Sequence, residues 1–139
     1  MRVRDVMTAD VEACSAQDTY QSAAGKMSSL GVGALPVMQN GQVVGMVTDR
    51  DLVVRGLSHN NQAGTIQSVM SGRVVTVSPE ASVEEAAALM SQHQVRRLPV
   101  VENGNLVGML ALGDLAVQQQ SDEKAGAALT QISERNHLQ

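Results

Sequence analysis

The sequence predicts a mixed α/β (α+β) fold: a tandem repeat of one β-α-β-β-α unit, followed by a C-terminal helix. The first observation is that residues 45–51 (GMVTDRD) return as residues 108–114 (GMLALGD), 63 residues later in a chain of 139. The second is that the other apolar and turn motifs keep the same offset. Units of about fifty residues bury too little surface to be stable alone, so we expect the two to pack sheet to sheet about a pseudo-twofold axis.

Each unit is predicted to begin with a helical turn that leads into a short strand. In residues 3–7 and again in residues 66–70, apolar side chains occur at i, i+3 and i+4, the spacing of one helix face. Short runs that favour strands follow at 11–14 and 74–77. These runs are the expected first strands of the two units.

The long helix of each unit is predicted from its N-cap and its apolar face. Thr19 and Ser82 stand where N-caps belong, and Ser82 with Glu85 has the spacing of a capping box. A helix that joins the first two strands requires them to run parallel. The expected buried faces consist of Ala23, Ala24, Met27 and Leu30 in the first unit, and Val83, Ala86, Ala87 and Met90 in the second.

The last two strands of each unit are predicted to form a hairpin. In the first unit, apolar residues 35–38 and 43–47 flank Asn40-Gly41, a dipeptide that strongly indicates a tight turn. A closing helix is predicted over residues 48–55. Each of these elements has its counterpart 63 residues later, at the offset of residues 45–51 and 108–114.

The repeat divides the chain into four parts. We expect repeat 1 at residues 1–57, a polar linker at 58–67, repeat 2 at 68–120 and a helical tail at 121–139. The apolar residues of the tail fall on one helical face, which predicts either docking on the module or a second copy, or an exposed helix. They are Ala125, Ala128, Leu129 and Ile132.

Composition argues against nucleic acid as a partner. The net charge is -4 and the aromatic content is 1%. The chain therefore lacks both the positive charge that dominates affinity for nucleic acids and the rings on which bases stack.

The cysteine, histidine and hydropathy patterns argue against a disulfide-bonded, a metal-binding and a membrane-spanning protein. The single cysteine, Cys14, cannot form an internal disulfide, and the three histidines show no metal-ligand spacing. The first residues lack an apolar signal core, and the longest apolar stretch, residues 106–112, is too short to cross a bilayer. We expect a cytoplasmic chain with no structural metal and no membrane segment.

Seven motifs occur in the same order in both halves. In the first half they are Val6-Met7, Ala23-Ala24, Met27, Leu35-Pro36-Val37, Asn40-Gly41, Val44-Gly45-Met46 and Asp51-Leu52. With these motifs the chain resembles the cystathionine β-synthase (CBS) domain, and the tandem resembles a CBS pair, or Bateman module, over about residues 4–115. Free-standing bacterial two-CBS proteins with a Thr-Asp-Arg-Asp sequence are similar to residues 48–51.

The resemblance implies a sensor that needs no cofactor for its fold. CBS pairs commonly bind adenosine-containing ligands, such as AMP, ADP, ATP or S-adenosylmethionine, in clefts between the repeats. Two pairs often associate into discs of four repeats, which implies a homodimer. Some free-standing relatives are associated with stress or dormancy responses, and with no effector domain attached, the output would act on a separate, unidentified partner protein.

Thr48 and Asp51 are the first candidate binding residues. A hydroxyl at the start of a helix, where free amides favour anions, suits a phosphate, and a carboxylate can accept two hydrogen bonds from a ribose diol. The family pattern Thr-x-x-Asp gives these residues those roles. The alternative is that Thr48-x-x-Asp51 is only an N-terminal cap.

In the second repeat the pattern changes. Ala111 replaces the threonine, while Asp114 remains available for ribose. Arg96 and Arg97 precede Leu98-Pro99, where related modules place basic residues that reach phosphates. We expect this pair to complement the Thr48/Asp51 end of the other repeat in a single asymmetric site; the alternative is a solvated pair or a salt bridge to a dimer mate.

Adenine requires an apolar slot with backbone partners. In the family this slot lies beside the first strand and the turn before the second, which makes Val11, Ala13, Val32 and Pro36 the local candidates. The alternative is that these four residues belong to the core.

Catalysis has little support, because no acid is placed to orient Cys14 or His93. The leading hypothesis is therefore a regulatory adenine-nucleotide-binding module for energy or stress sensing, without catalytic residues. The alternatives are a ligand-independent dimeric scaffold and, third, a small enzyme.

Overall fold

The computed structural model describes residues 1–59, 64–72 and 74–117. The predicted tail at 121–139 and part of the predicted linker lie outside these residues. The chain divides into two compact units: unit 1 consists of residues 1–11 and 75 onward, and unit 2 of residues 12–74.

Unit 2 contains a three-stranded sheet covered by one long helix. Its strands are β2 (Cys14–Ser15), β3 (Ala34–Gln39) and β4 (Gln42–Thr48), in the order β2-β3-β4. The pair β2/β3 is parallel, as the crossover through α2 (Tyr20–Leu30) requires, and β3/β4 is antiparallel. A π-helix, Asp51–Gly56, and single helical turns at Leu57–His59 and Ile66–Ser68 complete the unit.

Unit 1 repeats this arrangement. Its long helix is α3 (Val83–His93) and its closing helix is α4 (Leu112–Val117). Its sheet has the strand order β1 (Thr8–Ala9), β6 (Asn105–Ala111), β5 (Arg97–Glu102). Val77 forms a single parallel bridge to Val100, the counterpart of the β2/β3 pair. The unit also contains α1 (Val3–Val6).

The local predictions for caps and turns are confirmed. Thr19 Oγ1 accepts a hydrogen bond from Ser22 N at 3.1 Å, and Ser82 Oγ accepts one from Glu85 N at 3.1 Å. Each hairpin has a two-residue Asn-Gly loop in which both residues have positive φ, 54° and 77° at Asn40 and Gly41. Positive φ at both positions is the type I′ conformation that matches the twist of a hairpin.

The prediction of the buried helix faces was right for α3 and partly wrong for α2. In α3 all four expected residues are buried. In α2 the buried residues are Tyr20, Ala23 and Met27, whereas Ala24 is exposed and Leu30 is 44% exposed. The tyrosine ring packs against Gly56 at the start of α2, and Leu30 is the last residue of the helix.

The opening turn of each repeat packs with elements of the other repeat. Residues 1–11 belong to unit 1, together with the elements of the second repeat, and residues 64–72 belong to unit 2. Val3 and Ile66, which occupy matching positions, are fully buried in these two separate cores. Neither sequence repeat therefore contains a complete core of its own.

Candidate functional site

Thr48 and Asp51 lie at the point where β4 ends and the helical segment Asp51–Gly56 begins. Thr48 N donates to Asp51 Oδ2 at 2.9 Å, and Asp51 N donates to Thr48 Oγ1 at 3.0 Å. The two side chains therefore form a reciprocal cap, as the second interpretation of this motif expected. A cap uses one carboxylate oxygen and one lone pair of the hydroxyl, and it does not consume the hydroxyl hydrogen.

The second carboxylate oxygen of Asp51 has a weaker partner. Arg55 Nε lies 3.8 Å from Asp51 Oδ1, at ion-pair distance, and the Asp51 side chain is 18% exposed. Within the described part of the chain no hydrogen bond to Oδ1 is found. An incoming hydroxyl group can therefore donate to this oxygen without breaking the cap.

Asp114 occupies the same place in unit 1 with a simpler bond pattern. Ala111 N donates to Asp114 Oδ2 at 2.9 Å, which matches the bond from Thr48 N to Asp51. The reciprocal bond is absent because Ala111 has no hydroxyl group to accept it. The carboxylate is thus presented in the same way in both units, but the hydroxyl is present in unit 2 alone.

The structure places Arg96 and Arg97 beside Ala111 and Leu112 of unit 1. Arg97 is the cross-strand partner of Ala111, and Leu112 N donates to Arg96 O at 2.8 Å. Both arginine side chains are exposed. The basic pair and Asp114 therefore belong to one unit, and Thr48 and Asp51 belong to the other. The expected pairing of Arg96 and Arg97 with Thr48 and Asp51 stays a prediction.

The four predicted adenine-contact residues are divided between the units. Val11 belongs to unit 1, whereas Ala13, Val32 and Pro36 belong to unit 2. Pro36 is buried, Val11 and Ala13 are half-buried, and Val32 is 41% exposed.

Lys26 makes a polar contact in unit 2 that was not predicted from the sequence. Its Nζ donates to Ala13 O at 2.7 Å from a partly buried position on α2. A signal was present, because the residue at the matching position of the second repeat is Leu89. A charged residue that replaces an apolar one in a repeated helix indicates a unit-specific role.

At Gly45 a neighbouring backbone segment approaches β4 closely. A Cβ on Gly45 would lie 2.4 Å from Ser71 O, and Met46 and Ser71 form an antiparallel bridge. Gly108 does the same for Thr8 O, at 2.7 Å. These glycines position the opening segments of the units.

Cys14 is buried in β2, with its Sγ 3.7 Å from Pro36 O. Burial, with a smaller contribution from the Asp18 carboxylate, raises the pKa of the Cys14 thiol from 9.0 to about 11. A protonated, enclosed thiol is a poor nucleophile at neutral pH. Over residues 1–59, 64–72 and 74–117, no group of three or more His, Cys, Asp or Glu side chains could hold a metal ion, and no helix is long and apolar enough to cross a membrane.

The fold and the two matched capping sites define a class of protein: a tandem of α+β modules that present one carboxylate per module after the last strand. The CBS-domain family model matches residues 3–57 and 66–119. The chain therefore belongs to the CBS-domain family, as a CBS pair.

Three relatives illustrate this membership. The CBS domain-containing protein YhcV of Bacillus subtilis (strain 168) is 48% identical over 135 residues, which cover 96% of either chain. The crystal structure of Hypoxic Response Protein I with two coordinated zinc ions has a TM-score of 0.76 and 34% identity, over 84% of this chain and 98% of that one. The structure of CBSX2 in complex with AMP has a TM-score of 0.73 and 25% identity, over 86% of this chain and 96% of that one.

Proposed function

We propose that this CBS pair is a regulatory module that binds an adenosine-containing ligand and acts on a separate partner protein. Thr48 and Asp51 are the residues on which the proposal rests. In it, Asp51 Oδ1 accepts a hydrogen bond from the ribose diol, and the Thr48 hydroxyl donates to the ligand while its oxygen continues to cap the helix. The AMP held by the similar protein CBSX2 supports the choice of ligand class.

The single observation that carries the proposal is the unequal use of the two Asp51 oxygens. Oδ2 accepts from Thr48 N at 2.9 Å, whereas Oδ1 lies 3.8 Å from Arg55 Nε, and the Asp51 side chain is 18% exposed. The cap fixes the orientation of the carboxylate, and Oδ1, which the cap does not use, can accept a hydrogen bond from a diol hydroxyl.

The proposal includes a second, weaker site in unit 1, where the binding residues are different. Asp114 offers the same carboxylate for ribose, and Arg96 and Arg97 offer charge to a phosphate. The missing hydroxyl at Ala111 weakens this second site, so we expect Thr48 and Asp51 to dominate when one ligand binds per chain. Val11, Ala13, Val32 and Pro36 are proposed to contact the adenine.

Isothermal titration calorimetry and thermal shift with AMP, ADP, ATP, S-adenosylmethionine and adenosine test the proposal. A ligand present at a hundred times its dissociation constant adds about 2.7 kcal/mol of stability. Inosine 5′-monophosphate is a matched control, because it keeps the ribose and phosphate but changes the base. The absence of a shift with all five ligands would contradict the proposal.

A second candidate function, a dimeric scaffold that needs no ligand, follows from a different observation. The reciprocal bonds between Thr48 and Asp51 satisfy a helix cap completely, and the hydroxyl is absent at Ala111. In that case dimerisation and partner binding would be independent of nucleotides. Analytical ultracentrifugation with and without AMP separates the two functions, because a sensor is expected to change its association or its compactness.

A further inference from the structure

Arg55 is a charged side chain beside Asp51 that was not predicted from the sequence as part of a site. Its Nε lies 3.8 Å from Asp51 Oδ1, and 59% of the Arg55 side chain is exposed, compared with 18% for Asp51. A nitrogen and an oxygen at this distance attract each other as charges, but they are too far apart for a hydrogen bond. The guanidinium group therefore stands next to Oδ1 without using it as an acceptor.

The gap between Arg55 Nε and Asp51 Oδ1 fits one bridging hydroxyl group. Two hydrogen bonds of about 2.8 Å each span up to about 5.6 Å, so one oxygen can lie within bonding distance of both atoms across the 3.8 Å gap. A hydroxyl group donates through its hydrogen and accepts through its lone pairs. It can therefore donate to Asp51 Oδ1 and accept from Arg55 Nε at the same time.

The carboxylate side of this gap is held in place by the helix cap. Thr48 N donates to Asp51 Oδ2 at 2.9 Å, which fixes the direction of Oδ1. Another long ion pair lacks this feature: Arg4 Nη2 and Glu102 Oε2 are 3.7 Å apart, but both side chains are about half exposed and Arg4 also pairs with Glu80. In the described part of the chain, no backbone hydrogen bond orients the Glu102 carboxylate.

Unit 1 has the equivalent carboxylate but not the equivalent cation. The residue that matches Arg55 at the 63-residue offset is Gln118, which carries no charge. The backbone differs as well, because Arg55 lies in the π-helix Asp51–Gly56, whereas Asp114 lies in an α-helix, α4. π-helices are rare and are frequently found at functional sites. Both differences distinguish the Asp51 end of unit 2 from its counterpart.

We propose that Arg55 is a specificity-determining residue, which together with Asp51 recognises one ribose hydroxyl group of the ligand as both donor and acceptor. This inference rests on the proposed function, because it requires the ribose diol to reach Asp51. A carboxylate alone selects any hydrogen-bond donor, whereas the pair selects a group that donates and accepts. The ligand class is therefore a ribonucleoside or ribonucleotide, in preference to the analogue that lacks the shared hydroxyl group.

Calorimetric titration of the full chain with AMP, 2′-deoxy-AMP and 3′-deoxy-AMP tests the role of Arg55. Arg55→Met removes the donor and keeps most of the side-chain length, and it is expected to lower the affinity for AMP about tenfold. For one of the two deoxy analogues the same change should have little effect, because that analogue already lacks the shared hydroxyl group. A loss that depends on one ligand atom is the signature of a direct contact.

Arg50→Met is the matched control. Arg50 is an exposed arginine directly before the π-helix, and none of the ion pairs found among residues 1–59, 64–72 and 74–117 involves its side chain. The control removes the same charge and is expected to change all three affinities little and equally. An AMP affinity in Arg55→Met that equals or exceeds that of the wild type would overturn the inference, as would an equal loss for all three ligands.

The inference and the proposed function can fail separately. Binding of AMP that is weakened by Asp51→Asn but not by Arg55→Met would overturn the inference and leave the proposed function standing. A wild-type chain that binds none of the three ligands would overturn both. Thermal unfolding without ligand serves as the check on folding: an exposed ion pair contributes little to stability, so Arg55→Met is expected to unfold at nearly the wild-type temperature. Arg55→Gln, which introduces the residue found at position 118, is the second variant and is expected to lose the same selectivity.

Discussion

Gly45 Cα faces the carbonyl oxygen of Ser71 so closely that a Cβ on Gly45 would lie 2.4 Å from that oxygen. This contact joins β4 to the segment that introduces the second repeat, and Met70 packs against the same glycine. The absence of a side chain at one residue thus allows the segment to dock.

Gly45→Ala is expected to destabilise the protein, because the added methyl group meets backbone that cannot move away. Overpacking of this kind costs about 1–3 kcal/mol, which urea unfolding followed by circular dichroism measures. Gly25→Ala is the matched control: it lies on α2 with nothing within 4 Å of the new Cβ. It is expected to stabilise by roughly 0.5–1 kcal/mol. Equal effects of the two changes would contradict the role given to Gly45.

Asp51→Asn is expected to weaken binding of an adenosine-containing ligand with little change in folding stability. The amide oxygen can still accept from Thr48 N, but the charged acceptor for the ribose diol is lost. Hydrogen bonds to charged groups contribute about 1.5–3 kcal/mol, or roughly tenfold to a hundredfold in affinity by calorimetry. Asp18→Asn is the control, because Asp18 Oδ2 makes a similar bond to Ser15 N at 2.9 Å. Ligand affinity that changes as much in the control argues against a ribose contact.

Ala111→Thr is expected to stabilise the protein by restoring the bond that unit 1 lacks. A threonine hydroxyl at this position can accept from Asp114 N, as Thr48 Oγ1 accepts from Asp51 N at 3.0 Å. A cap of this type contributes about 0.5–2 kcal/mol. Thermal unfolding checks the gain, and Thr48→Ala, the opposite change, is expected to lose a similar amount. If the two sites bind ligand independently, Ala111→Thr also raises affinity at the second site.

The thiol of Cys14 is expected to stay unreactive in the folded protein at pH 8, because its pKa is about 11. A thiol-reactive reagent should label it only after unfolding in urea, when its pKa returns to an ordinary value.

The raised pKa of the Cys14 thiol also makes folding stability depend on pH in the alkaline range. The folded state holds the thiol proton more tightly than the unfolded state, so this stabilisation is complete below the ordinary thiol pKa of 9.0 and is lost as pH rises through the folded-state pKa of about 11. Cys14→Ala should lack this component. Urea unfolding of both proteins across that range measures the difference, and identical pH profiles would contradict the assignment.

Features that depend on neighbours in sequence were predicted well. Thr19 and Ser82 cap the helices, and Asn40-Gly41 forms the turn, because each involves residues at most a few positions apart. The CBS pair itself was recognised from ordered motifs, and the family match at residues 3–57 and 66–119 confirms it. The exposure of Leu30 could not be predicted, because the apolar spacing places it on the same helix face as Ala23 and Met27, and burial at the last residue of α2 depends on tertiary packing.

The sequence by itself determined the repeated elements, their order and the family, since helix caps, apolar periodicity and tight turns are local properties of the chain. Only the tertiary structure decided that Gly45 receives Ser71, that Val3 completes the core of the other repeat's unit, and that Lys26 binds the Ala13 carbonyl. These contacts join residues far apart in the chain, and two similar repeats offer each segment two comparable partners. A sequence pattern cannot choose between comparable partners, whereas packing in three dimensions selects one of them.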